Sequence, residues 1–189
     1  MAESKNNVLT HGLRGKVGGM LVFRQMNGKT FVSTVPEKSD EVSEKQKTQR
    51  RKFRNATIYG KSALENPENR EIYEAAAAKK GRTPFIAAVA DFLNAPEIEL
   101  IDLSDYTGQP GDIIKVEAHD DTLVKEVHVS IINADGSTVE EGQATLDASG
   151  YVWTYTAQQN NDNLDGNKIV VSVSDLPGNV TTEEAMNDE

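Results

Sequence analysis

The sequence predicts an α+β chain of two domains. A β-hairpin and three helices occupy residues 1–95, and an all-β sandwich occupies residues 96–189. Three observations carry this. Charge breaks at Pro96: residues 1–95 hold 17 Lys and Arg against 10 Asp and Glu, a net of +7, and residues 96–189 hold 3 against 20, a net of −17. The apolar period changes at the same place, from the 3.6-residue repeat of helices to the two-residue alternation of strands. Beyond it, Gly- and Asp-containing turns recur between the alternating runs.

The bulk composition sets bounds. A hydrophobic content of 37% over 189 residues gives each half only a modest core. The absence of cysteine removes disulfides and thiolate metal sites, so the acidic half is held by packing alone. The first residues, Met1 to Asn7, contain no apolar segment, and no apolar run reaches the ~20 residues that span a bilayer. The expectation is cytoplasmic synthesis without a signal peptide, no membrane association, and export, if any, by a non-classical or injection route.

In the basic half, Val17 to Val35 reads as a hairpin turning at Asn27-Gly28, a pair that supplies the positive φ of a tight turn. Gly12, Gly15, Gly18 and Gly19 precede it; they open a strand rather than a helix, which points to loop geometry and not to a phosphate cradle. Pro36 ends the hairpin. Ser39 or Asp40 is the expected cap of a long polar helix running to about Leu64, with Phe53, Ala56, Gly60, Ala63 and Leu64 as its thin buried stripe. Asn66-Pro67 starts a second helix and Gly81 stops it. Thr83-Pro84 starts a third, whose Phe85, Ile86, Val89, Phe92 and Leu93 are expected at the centre of this core. Phe53 and Phe92 are its expected anchors.

Gly15, Gly18, Arg24, Gly28, Lys29, Phe31, Pro36, Gln46, Gln49, Arg51 and Phe53 follow a pattern of Gly-rich start, short hairpin and Gln/Arg-rich helix. In this order, from about Gly12 to Leu93, the half resembles small bacterial proteins of unassigned function. The resemblance implies no activity.

In the acidic half, strands are expected over Asp112 to Ala118, Val124 to Ile131, Gly142 to Leu146, Tyr151 to Tyr155 and Lys168 to Val173. Their inward residues are Ile114, Val116, Val127, Val129, Ile131, Leu146, Trp153, Ile169, Val171 and Val173. Trp153, the single tryptophan, is the expected anchor; truncating a buried Trp costs ~3–5 kcal/mol. A disordered C-terminal tail closes the chain. Asp147, Gly150, Trp153 and Tyr155, followed by Asp175, Gly178 and Asn179, resemble the Asp-x-x-Gly-x-Trp-x-Tyr and Asp-x-x-Gly-Asn patterns of bacterial Ig-like repeats of the adhesin type, with one extra residue before Trp153. The resemblance spans about Ile98 to Thr182. It implies an Ig-like sandwich serving as spacer or binding module. Adhesins carry many such copies and this chain carries one.

No constellation assembles a reaction, and the chain reads as no enzyme. His11, His119 and His128 lack the helical spacing of a zinc protease, no Gly-x-Ser-x-Gly elbow occurs, and the adjacent acidic pairs on strands point to opposite faces. No cofactor is expected. Asp102, Asp105 and, above all, Asp120, Asp121 and Asp175 are weak calcium candidates, set against ordinary acidic solvation. Lys47, Arg50, Arg51, Lys52 and Arg54 form a basic cluster suited to carboxylate or phosphate. The leading functional expectation is a non-catalytic interaction protein whose basic half docks on a protein partner with an acidic surface. One alternative is cargo or effector, a toxin if it has a target, loaded into the tube lumen of a phage-tail-like contractile injection particle. Another is nucleic-acid binding, which the acidic half disfavours.

Overall fold

The structure is a computed structural model that describes residues 2–4, 10, 12–26, 28–35, 42–162 and 164–186. It is a mixed α+β protein with three antiparallel four-stranded sheets and three helices among the described residues. Two compact units divide at Lys47/Thr48, so the charge break at Pro96 lies inside the second unit.

The first unit holds β1 (Ala2–Ser4), β2 (Gly15–Val17), β3 (Leu21–Met26) and β4 (Lys29–Thr34), in the order β1-β4-β3-β2. The β3–β4 hairpin pairs Met26 with Lys29, and Gly28 before Lys29 has a φ of 73°. Asn27, His11, Pro36 and the expected caps Ser39 and Asp40 lie outside the described residues.

Helix α1 (Glu44–Ala63) begins at a reciprocal cap. Ser43 N–H donates to Gln46 Oε1, and Gln46 N–H donates to Ser43 Oγ, each at 3.3 Å. Its buried residues are Ala56, Gly60 and Ala63. Phe53, expected on that stripe, is 56% exposed, and Leu64 is only partly buried. The correction has a simple cause: Phe53 lies two turns ahead of Gly60, the point where α3 comes close. Helix α2 (Pro67–Lys80) starts with Asn66 Oδ1 accepting from Glu68 N–H at 2.8 Å. It ends at Gly81, whose φ of 61° is the left-handed conformation that costs glycine nothing. Helix α3 (Pro84–Leu93) is capped by Thr83. Its buried residues are Ala87, Ala88 and Asp91, while Ile86 is exposed and Phe85, Val89, Phe92 and Leu93 are half-buried. The small core around Tyr73, Ala77, Ala87 and Ala88 is thus built on alanines, which let backbones approach, rather than on the large side chains of α3.

The remaining strands form two sheets. One has the order β5-β6-β10-β9: β5 (Glu97–Asp102), β6 (Ile113–His119), β10 (Val152–Thr156) and β9 (Thr145–Leu146). The other has the order β12-β11-β7-β8: β12 (Val180–Met186), β11 (Lys168–Asp175), β7 (Val124–Ile132) and β8 (Thr138–Gln143). Alternate residues of both enter one buried cluster: Ile114, Val116, Trp153 and Tyr155 from the first; Val127, Val129, Ile131, Ile169, Val171 and Val173 from the second. The single strand expected over Gly142 to Leu146 is two. β8 ends at Gln143 on β7, and β9 begins at Thr145 on β10, so the chain changes sheets at Ala144. Leu146 is 44% exposed because β9 is a two-residue edge with no further strand beside it. β12 carries regular pairing to Met186, well into the acidic tail.

Candidate functional site

Two features stand out, a cationic helix face and a buried polar seam. At about 100° per residue, Lys47, Arg50, Arg51, Arg54 and Lys61 fall on one side of α1. Ala56, Gly60 and Ala63 lie on the opposite side. Residues 44 to 55 are exposed throughout, and Ile58, on the cationic side, is 60% exposed. Lys47 pairs with Glu44 at 2.7 Å. Lys52 is turned the other way, toward the helices, donating to Leu93 O at 3.0 Å. Arg50, Arg51 and Arg54 have no hydrogen-bond or ion-pair partner among the described residues. The structure therefore brings Lys47, Arg50, Arg51 and Arg54 together and separates Lys52 from them.

The seam joins α2 and α3 to the sheets. Asp91, on α3, is fully buried. Its Oδ2 accepts from Tyr73 Oη of α2 at 2.6 Å, and Tyr73 Oη lies 2.8 Å from Tyr59 Oη of α1. Tyr59 also packs on Phe92, with ring centroids 5.2 Å apart. Asp120, in the β6–β7 loop, is one of the groups that raise the Asp91 carboxyl. Asp120 Oδ2 accepts from Thr122 and Leu123 N–H. The Oδ1 atoms of Asp91 and Asp120 are both buried, with no hydrogen bond of ordinary geometry to either among the described residues. Burial, helped by Asp120, pushes the Asp91 carboxyl up to about 7, against the Tyr73 hydrogen bond. Burial and the bond to Asp91 hold the Tyr73 phenol far above its ordinary range.

The Asp-x-x-Gly-Asn stretch closes the seam from the other side. Asp175 Oδ1 accepts from Gly178 and Asn179 N–H at 2.8 and 2.6 Å. Asn179 Nδ2 lies 2.7 Å from Asp175 Oδ2, 3.2 Å from Asp91 O and 3.0 Å from Asn94 O, where it serves the open carbonyls of the α3 C-terminus. Leu176 packs into the helical core, and Thr181 Oγ1 donates to Pro96 O at 2.5 Å. Lys80 Nζ reaches Asp121 Oδ1 at 2.5 Å, and Asn94 Nδ2 donates to Asp121 Oδ2 at 2.7 Å. These donors hold the Asp121 carboxyl below the usual range, whereas burial raises Asp175 despite its hydrogen bonds.

The calcium candidates are thus engaged by protein donors rather than gathered around one point. Asp105 pairs with Lys115 at 2.6 Å, and Asp102 accepts from Ser104 N–H. Among the described residues no group of three acidic or histidine side chains has metal-holding geometry. His119 stands on an exposed rim, 3.1 Å from Glu99 and 3.6 Å from Glu97, and His128 lies 3.9 Å from Glu141. Trp153 sits in the core between the sheets. Sequence reasoning missed Asp91, Tyr73 and Tyr59. The one available signal was a single charge inside the otherwise apolar run Pro84–Leu93. Compared with protein-family models, curated proteins and solved structures, the chain matches none.

Proposed function

We propose that this chain is a non-catalytic interaction protein that docks through the cationic face of α1 on an acidic protein surface. The observation that carries the proposal is the segregation of Lys47, Arg50, Arg51, Arg54 and Lys61 on the side of α1 opposite its buried stripe, with the three arginines unpaired among the described residues. Free guanidinium groups at i, i+1 and i+4 suit bidentate carboxylate contacts. Ile58 adds an apolar contact within the same face.

We read the two-sheet body as an Ig-like sandwich acting as a rigid support. What favours this is the strand order. β5-β6-β10-β9 and β12-β11-β7-β8 follow the pattern in which strands A, B, E and D form one sheet and C, F and G the other. The tryptophan differs in place, since Trp153 lies on β10, which corresponds to strand E, and not on strand C.

The test is affinity capture from the native cell extract, with and without nuclease, at low and moderate salt. Wild type is expected to retain a protein species at low salt that moderate salt weakens. Arg50→Glu/Arg51→Glu/Arg54→Glu loses it, while Lys125→Glu, a reversal on the exposed β7 side, keeps it. Retention by the triple variant would overturn the proposal. Retention by wild type that vanishes with nuclease would replace it with nucleic-acid binding.

A further inference from the structure

The stripe of α1 continues past the point where its burial stops. Gln46, Gln49, Phe53, Ala56, Gly60 and Ala63 succeed one another by steps of three and four, the spacing with which one helix seats another. Helix α3 covers the second half of this row. It lies against Gly60 through Phe85 and Val89, and it ends beside Lys52, whose Nζ donates to Leu93 O. Ahead of that end the row is bare: residues 44–55 are exposed throughout, and Phe53 is 56% exposed. The bare stretch is roughly 18 Å long at 1.5 Å per residue, room for about three helical turns.

Charge selects the occupant. Lys45 and Lys52 border the row on one side, and Arg50 borders it on the other. Glu44 is the single acidic residue of α1, and it pairs with Lys47. A second copy of this helix, in either direction, would set these cations against their own kind, so pairing of α1 with itself is disfavoured. A lipid surface fits poorly as well, because two glutamines interrupt the row and Phe53 is its only large apolar side chain. A helix with its own apolar stripe and with Asp or Glu along both borders meets the cations and covers the Phe53 ring. An exposed aromatic of this kind is a typical interface anchor.

We propose that the first three turns of α1 seat an acidic amphipathic helix of a partner protein along Gln46, Gln49 and Phe53, continuing the row that α3 begins. This surface adjoins the outer cationic face of α1 and shares only Arg50 with it. The two are therefore separable: the seat is read at Phe53 and Gln49, and the outer face at Arg51 and Arg54.

The probe is a synthetic three-heptad peptide with leucine at a and d and glutamate at e and g, labelled for fluorescence anisotropy and titrated with the full chain. Its controls are the same residues in shuffled order and the same heptads with lysine at e and g. The acidic heptad peptide is expected to bind wild type, and the lysine peptide is not. Phe53→Ala weakens binding about tenfold, and Gln49→Glu, which sets a like charge against the peptide, weakens it by a similar factor. Leu100→Ala, at an exposed apolar residue of β5, leaves it unchanged. Both seat variants change exposed side chains, and Gln49→Glu decides the matter if Phe53→Ala does not fold. Failure of the heptad peptide to bind overturns the proposal. Equal binding of the shuffled peptide, or full-strength binding to both variants, also overturns it and leaves docking by the outer face standing. Phe53-dependent binding to phosphatidylglycerol and phosphatidylcholine vesicles, with no peptide binding, would replace the partner helix with a membrane surface.

Discussion

Asn179 lies among four acceptors. Its single amide group faces Asp91 O, Phe92 O, Asn94 O and Asp175 Oδ2. Removing it strands acceptors at the C-terminus of α3 and beside a buried carboxylate. Asn179→Ala is expected to lower unfolding free energy by about 1–3 kcal/mol in urea titration, more than the surface average of ~0.5 kcal/mol. A loss within that surface average would show that the amide contributes only locally. The Asp-x-x-Gly-Asn pattern was visible in the sequence, but not what it holds. Its partners on α3 lie 85 to 88 residues away, and only folding brings them together. Asp91 was legible only as an anomaly. A lone charge in an apolar helix reads as a solvated residue until its neighbours, Tyr73 and Asp120, are known. Trp153, by contrast, combined alternation, size and uniqueness, and its burial followed from local pattern alone.

Among the elements, α1 changes character along its length. Its first three turns are polar and solvated, and its last two carry Ala56, Gly60 and Ala63 against the other helices. Gly60 is the close point: a Cβ there would lie 3.0 Å from Val89 Cγ2 and 3.3 Å from the Phe85 ring. Helix propensity favours replacing a mid-helix glycine by ~1 kcal/mol. Overpacking a tight contact costs ~1–3 kcal/mol, and a side chain as large as leucine brings the steric cost above the propensity gain. Gly60→Leu is therefore expected to lower the melting temperature despite its better propensity; a rise would show that α1 and α3 separate freely. Helix ends were legible where chemistry is local: Asn66-Pro67, Gly81 and Thr83-Pro84 mark the limits of α2 and α3. The cap of α1 was misplaced because Ser39, Asp40 and Ser43 are all good caps, and the reciprocal Gln46 contact selects the last. The strands β5 and β12, and the part of β8 before Gly142, were missed because edge strands are half-solvated and alternate weakly.

For the whole molecule, charge and contact divide the chain differently. Charge and apolar period both change at Pro96, while the compact units divide at Lys47/Thr48. The reason is the seam: Leu176, Asn179, Thr181 and Lys80 tie helices to sheets with bonds and packing that span 41 to 88 residues of sequence. Pattern along a chain reports local structure, and it is silent on which bodies then adhere. The outcome is a helical layer locked to an acidic β body, with a solvated row of arginines on α1. Covalent footprinting of the chain, free and in complex with its captured partner at moderate salt, tests this most directly. The account predicts protection concentrated on the outer side of α1, at Lys47, Arg50, Arg51, Arg54 and Ile58. An unprotected α1, with protection instead on loops of the β body such as 133–137, would contradict it.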